Sequence, residues 1–510
     1  MSTLSGQEDS RESTGETIGR NAALSLLAQL AGAAFTAGLT LFLARELGTG
    51  GFGVFSLALG IAGLALLPSD FGISASSARF IAEHRGDRSA VAAVLADSLR
   101  IKLLVSTTVA ALLCALAGPI ADAYGIHALA WPIRGVAIAL LGQSIMMMAA
   151  AFEAMARVRY SLITAIVESS IETTASIALV LGGAGVTGAA FGRAIGFLAG
   201  GLMTIFALVR MLGPEVLPRT IRHGEHTRRI ASYASVLLIV DGAYTLYNQI
   251  DVLIIGGFLG ASAVGLFSAP LRLMGFLSYP GNAVAVGVAP RLARSAGQEP
   301  NVEAFGSALR GMLILQAILT AFVLGWSPLL VSIALGSGYG KSAAVLRALA
   351  PCIFLMGFGA LVSVSANYLG EARRRVPIAI ATVLINLVLD LLLVPSIGVI
   401  GGAIGTDASY ALYVPAHLVI CQRVLHLNLR PAARTLVRSL LAGGAMTGVL
   451  LLVGGSLHEA WRIPLGAIGG TAAFALAIAL TGEVSPEEMH TLLARAPLAG
   501  RLRRPSRDSR

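Results

Sequence analysis

Apolar residues occur along this chain in long, continuous stretches separated by short polar segments, with no strand-like alternation. Each stretch is about 20 residues long, which is enough for one helix to cross the hydrocarbon core of a bilayer. We count fourteen such stretches, near residues 22–44, 52–70, 100–118, 133–153, 162–182, 186–208, 233–256, 262–286, 309–335, 343–368, 376–396, 399–422, 436–455 and 462–481. The pattern predicts an all-α membrane protein with about fourteen transmembrane helices, because a β-barrel would show alternating positions.

Composition supports the same class. The 510 residues are 56% hydrophobic and 13% charged, and the mean hydropathy is +0.79. A water-soluble fold could not bury that much apolar surface. The first apolar stretch is full-length, so it reads as a retained span and not as a cleaved signal peptide. The three cysteines, Cys114, Cys352 and Cys421, lie singly in apolar runs, which argues against a disulfide framework or a zinc site.

The net charge of +10 is distributed unevenly over the predicted loops. With the N-terminus inside, the inside segments hold 30 of the 37 lysines and arginines, five fall outside, and Arg193 and Arg272 lie within spans. This asymmetry follows the positive-inside rule and predicts that both termini are cytoplasmic. The basic charge is therefore accounted for by topology, and we expect no nucleic-acid partner.

An internal repeat divides the chain. ELGTGGFGVFSL (46–57) returns as FLGASAVGLFSA (258–269) at a spacing of 212 residues, and GVTGAAFGRAIG (185–196) returns as GVIGGAIGTDAS (398–409) at 213. Six spans repeat as six, so the copies share one orientation and form parallel repeats, an arrangement typical of transporters. The predicted domains are a cytoplasmic tail at 1–19, bundles at 20–210 and 232–423, a basic linker at 211–231, two extra helices at 424–481 and a basic tail at 482–510.

The order and spacing of LARELGTGGFGVFSLAL, DVLIIGGFLGASAVGLFSAPLRL and NLVLDLLLVPSIGVIGGAIGTDASYAL resemble the Wzx-type polysaccharide flippases. These form the polysaccharide transporter branch of the multidrug/oligosaccharidyl-lipid/polysaccharide exporter superfamily. The resemblance implies a V-shaped pair of six-helix bundles in the bacterial inner membrane. It also implies that undecaprenyl-diphosphate-linked oligosaccharides are moved to the periplasmic leaflet for O-antigen, capsule or exopolysaccharide synthesis.

The resemblance leaves two related functions open: a cation-coupled multidrug antiporter and a flippase for peptidoglycan lipid precursors. It further implies the lipid-linked oligosaccharide and the bilayer as partners, together with a polysaccharide polymerase and a chain-length regulator. An enzyme is disfavoured because the predicted outside loops are short and no DxD motif occurs. The P-loop-like LGSGYGKS (335–342) has Leu335 where that motif requires glycine, and we expect neither cofactor nor metal.

Ionisable groups within spans are costly and mark candidate functional sites. In span seven, Asp241, Tyr244, Asn248 and Asp251 follow each other at spacings of three, four and three, on one helix face. The first repeat has no carboxylate at the equivalent positions, since Asp251 aligns with Leu39. We therefore assign Asp241 and Asp251 as candidates for ion coupling, and Tyr244 and Asn248 as candidate cavity residues. An interfacial place for Asp251 is the alternative.

Guanidinium groups pair with phosphate oxygens through two charge-assisted hydrogen bonds, so arginines within spans are candidates for a diphosphate site. Arg272 in span eight and Arg193 in span six are the main candidates, with Arg45 at the outer end of span one. The alternative is that each arginine neutralises a buried carboxylate such as Glu172 or Asp407.

The last candidates lie at the predicted cytoplasmic mouth or have no assigned role. Asp70, Arg79 and its repeat partner Arg291 flank the inner ends of spans two and eight, where they either contact phosphate or only follow the positive-inside rule. The remaining intramembrane carboxylates are Glu153, Glu168, Glu172 and Asp390, and the sequence does not order them by role.

Overall fold

A computed structural model describes residues 2–70, 73–84, 87–155, 157–218, 227–277, 279–288, 292, 301–454 and 461–483. Within these ranges the side chains are described except those of residues 2–30, 75, 79, 82, 83, 227–241, 244, 276, 280 and 286. The described residues form helices and short turns, without a β-strand. The expected all-α fold is confirmed.

Seventeen α-helices are present in the described part of the chain. They are α1 (Ser2–Asp70), α2 (Ile73–Glu83), α3 (Arg88–Ala123), α4 (Ala130–Met146), α5 (Ala150–Ala154), α6 (Val158–Leu179), α7 (Gly185–Leu212), α8 (Thr227–Leu259), α9 (Ala261–Leu277), α10 (Tyr279–Val288), α11 (Val302–Leu335), α12 (Ser342–Ala348), α13 (Ala350–Tyr368), α14 (Ala372–Ile397), α15 (Val399–Leu425), α16 (Arg430–Val453) and α17 (Arg462–Leu480).

Nine helical segments of the described residues are long and apolar enough to cross a membrane. Two of them exceed one crossing: Ala31–Asp70 has 40 residues and Val158–Leu212 has 55. At 1.5 Å per residue, a helix of about 20 residues already spans the roughly 30 Å hydrocarbon core. Each long segment is broken near its middle, at Gly48 and at Gly183. The chain is thus a multi-pass membrane protein, and the total of fourteen spans stays a prediction.

The duplicated motif breaks and packs these helices in the same way in both copies. Gly48 and Gly260, which are equivalent in the repeat, have φ of +63° and +78°, values that favour glycine and end the preceding helix. Five residues further on, a Cβ at Gly53 would overlap the Ala261 carbonyl oxygen, and one at Gly265 would overlap that of Thr49. The two copies therefore contact each other reciprocally through their backbones, which only glycine permits.

The chain divides into two compact units. Unit 1 comprises residues 1–276, 334–345 and 376–409, and unit 2 comprises residues 277–333, 346–375 and 410–510. The candidate site described below lies within unit 1. The bundles at 20–210 and 232–423 rest on the sequence repeat alone and stay a prediction.

In unit 2, the two helices that follow the repeat pack against α11. Ala317 and Trp326 of α11 form an apolar core with Met446 and Leu450 of α16 and with Phe474 of α17. Beyond α17, Glu483 accepts hydrogen bonds from Arg310 Nε at 2.9 Å, Arg438 Nη1 at 3.1 Å and Thr435 Oγ1 at 2.6 Å. This cluster ties the end of α17 to α11 and α16.

Candidate functional site

A cavity of about 720 Å³ lies within unit 1 among α1, α4, α6, α7, α8 and α9. Its wall combines apolar side chains with polar and charged groups. The charged residues that line it are Glu168 and Glu172 of α6, Arg193 of α7 and Arg272 of α9. The uncharged polar side chains are Thr36, Ser56, Gln143, Ser169, Thr245, Asn248, Gln249 and Ser268. A cavity that is lined by charged, polar and apolar side chains can hold a polar head group.

Arg193 is held in the cavity wall by its own helical hairpin. Its Nη1 lies 2.7 Å from Glu172 Oε1, and its guanidinium lies 4.4 Å from the centre of the Phe197 ring. The pair is brought together because Gly192 and Gly196 of α7 let the backbones of α7 and α6 approach closely; a Cβ at Gly196 would overlap Glu172. Arg193 thus forms an ion pair with Glu172, which is the alternative that the sequence left open for this arginine.

Arg272 is placed differently. Its guanidinium lies 5.5 Å from the centre of the Phe52 ring, within range of a cation–π interaction. Among the side chains that the structure describes, none forms an ion pair with it. A guanidinium inside a membrane protein is costly when no anion compensates it. Arg272 is therefore the group in this cavity most available for an anionic ligand.

Glu168 lies one helical turn before Glu172 on α6 and faces the same cavity. Glu168 accepts a hydrogen bond of 2.8 Å from Ser169 Oγ, and residues four apart on a helix lie on the same face, so its carboxyl group lies beside that of Glu172. The two side chains are largely buried, with exposed fractions of 7% and 9%. These carboxylates, to which the sequence assigned no role, are thus part of the cavity.

The other predicted cavity residues are partly brought together. Asn248 lines the cavity. Tyr244 and Asp241 lie on α8, but their side chains are outside the described residues. Arg45 does not line the cavity: it is exposed and its Nε donates a hydrogen bond of 3.0 Å to the carbonyl of Ala334. A role of Arg45 in substrate binding stays a prediction that its placement does not favour.

Asp251 lies outside the cavity wall, in a buried polar cluster that joins α8, α14 and α15. Asn386 Nδ2 donates to its Oδ1 and Thr406 Oγ1 donates to its Oδ2, each at 2.8 Å. Asp390 is fully buried next to Asp251, and neither of its carboxylate oxygens nor Oδ1 of Asn386 receives a hydrogen bond in the described structure. Asp251 is 5% exposed, so it is buried among these helices, and its role in ion coupling stays a prediction.

The cluster therefore presents several oxygen atoms without donors in a buried space. Asp251 has a donor on each of its oxygens, but Asp390 has none among the described residues, and two adjacent buried carboxylates repel each other unless a proton or a cation lies between them. Oxygen ligands of this kind suit hard cations. Within the described ranges, no group of three or more His, Cys, Asp and Glu residues converges as a transition-metal site would require.

At the predicted cytoplasmic mouth, Asp70 has a partner that the sequence did not suggest. Lys102 of α3 is fully buried and forms an ion pair with Asp70, which also accepts a hydrogen bond of 2.6 Å from Ser74 Oγ. The sequence predicts that Lys102 belongs to an inside segment, whereas the structure buries its side chain within unit 1. Arg79 lies on α2 with its side chain outside the described residues, and Arg291 lies outside them altogether.

Comparisons with known proteins agree with this architecture. The family model described as "Polysaccharide biosynthesis protein" matches residues 18–295, and the model described as "MatE" matches residues 237–392. The chain is 24% identical over 431 residues to the "Probable low-salt glycan biosynthesis flippase Agl15" of Haloferax volcanii, covering 82% of this chain and 86% of the relative.

Two solved structures have a similar fold. The lipid II flippase MurJ in an inward closed conformation has a TM-score of 0.72 at 14% identity, and the alignment covers 90% of this chain and 98% of that one. The MATE multidrug transporter DinF-BH in complex with R6G has a TM-score of 0.60 at 16% identity, covering 81% and 97%. At these identities the likeness shows the fold, which is the flippase- and MATE-like architecture predicted above.

Proposed function

Because the chain belongs to the polysaccharide biosynthesis protein family, we propose that it is a flippase that moves lipid-linked oligosaccharides across the membrane and holds them by their diphosphate. The relatives found are flippases and transporters, and the chain is a transporter and not an enzyme. The observation that carries the proposal is Arg272, a guanidinium in the cavity wall to which no described side chain gives an ion pair. A diphosphate offsets the cost of placing that charge in the membrane.

The cavity favours this function over a multidrug antiporter. A site for cationic drugs should be dominated by carboxylates, whereas this wall carries two arginines, and Glu172 is already paired with Arg193. A flippase for peptidoglycan precursors would use the same diphosphate chemistry and stays the second candidate. The two substrates differ in the sugars, which would contact the uncharged polar residues of the wall.

The buried cluster around Asp251 supplies the coupling site in this proposal. Asp251, Asp390 and the side-chain oxygens of Asn386 and Thr406 would hold a monovalent cation such as Na⁺. A bound cation removes the repulsion between the two carboxylates and lets α8, α14 and α15 pack closely. Cation binding then favours one conformation of the transporter over the other, by its difference in affinity for the two. Asp241 stays a second candidate for coupling.

The proposal also covers the lipid carrier, the direction of transport, the topology and the partners. The substrate would carry undecaprenyl diphosphate and move from the cytoplasmic to the periplasmic leaflet of the inner membrane, for O-antigen, capsule or exopolysaccharide. Both termini would be cytoplasmic, as the charge asymmetry indicates. A polymerase and a chain-length regulator would act on the exported units. Asp70, Arg79 and Arg291 would form the cytoplasmic mouth.

The test uses purified full-length protein in liposomes that contain a fluorescent short-chain polyprenyl-diphosphoryl sugar. Arg272→Ala should abolish protein-dependent movement between leaflets, and Arg272→Lys should restore it only in part, because lysine lacks the planar fork. Arg210→Ala is the matched control, since Arg210 is an exposed arginine at the end of α7.

Thermal unfolding of each purified variant separates loss of the site from loss of the fold. If folded Arg272→Ala moves the lipid as fast as wild type does, the diphosphate site is wrong. If wild type moves a cationic dye and leaves the polyprenyl-diphosphoryl sugar in place, the multidrug function replaces the proposal.

A further inference from the structure

The two arginines of the cavity differ in what holds them before any ligand arrives. Arg193 is paired with Glu172 at 2.7 Å, whereas no described side chain forms an ion pair with Arg272. Both line the same cavity. A diphosphate can therefore bind Arg272 directly, but it reaches Arg193 only by displacing the Glu172 carboxylate from the guanidinium.

When the diphosphate displaces Glu172 from Arg193, the Glu172 carboxylate is left without a cationic partner. Its side chain is only 9% exposed, and Glu168, which is 7% exposed, lies beside it. Two adjacent, largely buried carboxylates without a cationic partner repel each other, and a proton held between them removes that repulsion. Among the described side chains, the charged groups that face this pair are Arg193 from α7 and Arg272 from α9, and the described cavity-lining side chains of α1, α4 and α8 are uncharged.

We propose that Glu172 is an internal competitor of the substrate diphosphate for Arg193, and that binding of the diphosphate is accompanied by protonation of the Glu168–Glu172 pair. This inference rests on the proposed function and assigns the carboxylates of the same site. A transporter must release its ligand as well as bind it. Glu172 provides for release, because it reclaims Arg193 as the proton leaves and thereby weakens the hold on the anion.

Direct binding to the purified full-length protein tests the assignment. The probe is farnesyl-diphosphoryl-N-acetylglucosamine, a diphosphate diester that does not titrate near neutral pH, so any pH dependence comes from the protein. In wild type, affinity should rise as the pH is lowered, because the protein that holds the diphosphate also holds the additional proton. Glu172→Gln should bind about five- to tenfold more tightly than wild type at alkaline pH, as expected for removal of a partly buried ion pair. Its affinity should depend little on pH, and its transport rate should be lower because release is slower.

A double-mutant cycle separates competition from a general structural effect. The gain from Glu172→Gln should disappear when Arg193 is also replaced by Gln, because no guanidinium is then freed. Glu168→Gln keeps the Glu172–Arg193 pair and should weaken the pH dependence without the large gain in affinity. Glu153→Gln is the matched control: Glu153 is an exposed carboxylate of α5 in the same unit, outside the cavity wall.

The results distinguish failure of this inference from failure of the proposed function. If Glu172→Gln is folded and binds the probe no more tightly than wild type, or if its gain persists without Arg193, the competitor role is wrong. Loss of probe binding in folded Arg272→Ala would still support the diphosphate site. If folded Arg272→Ala binds the probe as wild type does, the proposed function itself is contradicted.

Discussion

The hairpins α6–α7 and α14–α15 occupy equivalent places in the repeat, yet they carry different polar side chains. The repeat aligns Gly192 with Gly405 and Arg193 with Thr406, at a spacing of 213 residues. In both hairpins the glycine lets the second helix touch the first: a Cβ at Gly192 would overlap Ser176, and one at Gly405 would overlap Asp390. The backbone arrangement is shared, and the side chains around it are not.

The difference lies in what each hairpin faces. In the first, Glu172 and Arg193 form an ion pair in the wall of a cavity. In the second, Asn386 and Thr406 both donate to Asp251, a carboxylate whose equivalent in the first repeat is Leu39. One duplicated scaffold thus supports an open site with both charge signs and a closed site made of oxygen atoms. We propose that the α6–α7 hairpin contributes to the anion site, together with Arg272 of the second repeat, and that the α14–α15 hairpin contributes to the cation site.

The largest expected effect comes from removing the carboxylate of Asp251, because the equivalent residue of the first repeat is Leu39. Asp251→Asn should raise the Na⁺ concentration that stimulates transport by more than about 100-fold. Asp251 would bind the cation directly, and loss of a residue that only hydrogen-bonds to a metal ligand already lowers metal affinity roughly 10- to 100-fold. Transport by reconstituted protein, measured against Na⁺ concentration, checks this. Asp122→Asn is the control, because Asp122 is an exposed carboxylate. An unchanged Na⁺ response in folded Asp251→Asn would remove the cation from the comparison.

Replacing Gly192 and Gly405 by alanine should show which effects come from the helix packing that the two hairpins share and which come from the side chains that differ. Gly192→Ala and Gly405→Ala should each lower stability by about 1–3 kcal/mol, because the new methyl group overlaps the facing helix. Gly405→Ala should also abolish the Na⁺ response by displacing Asp390, whereas Gly192→Ala should keep it. Thermal unfolding and Na⁺ titration measure both effects.

Gly444→Ala is the control for these variants. A Cβ at Gly444, within α16, would meet no atom within 4 Å, so the substitution should be neutral or stabilise by about 0.5–1 kcal/mol. Equal loss of the Na⁺ response in Gly192→Ala and Gly405→Ala would mean that the two hairpins are not chemically distinct.

Thr406→Val should have a smaller effect, because it removes one hydrogen bond to Asp251 and keeps the shape of the side chain. A hydrogen bond to a charged group contributes about 1.5–3 kcal/mol, so Na⁺ affinity should fall by roughly 10- to 100-fold. Thr406→Ser keeps the hydroxyl and should stay close to wild type in Na⁺ titrations. If both variants respond alike, the Thr406 hydroxyl does not contribute to the cation site.

The sequence identifies the parts of these sites that depend on local pattern. Uninterrupted apolar stretches predict the helices, and the repeated glycines predict where helices break and touch. Arg193, Arg272 and Asn248 could be proposed for a cavity because polar groups within spans are costly. The partners could not be predicted: Asn386 and Thr406 are 135 and 155 residues from Asp251, and Lys102 near the start of a span resembles any basic residue of an inner loop.

The smallest expected effect concerns Glu483, a carboxylate whose partners satisfy it completely and which contrasts with Asp251. Burial opposes its ionisation, but the hydrogen bonds from Thr435, Arg310 and Arg438 hold the pKa of Glu483 below its ordinary value of 4.5. A lowered pKa in the folded state stabilises the protein above that ordinary value, and the contribution is lost as the pH falls through the lowered pKa. Glu483→Gln should therefore reduce stability by about 1 kcal/mol at neutral pH, and the difference from wild type should shrink in acid. Thermal unfolding across this pH range measures the difference in stability.

Substrate and Na⁺ responses of Glu483→Gln should stay unchanged, because Glu483 has donors on both oxygens, whereas the oxygens of Asp390 have none among the described residues. A lost Na⁺ response in folded Glu483→Gln would show that a satisfied carboxylate also takes part in coupling, and the distinction drawn between the carboxylates would then be wrong.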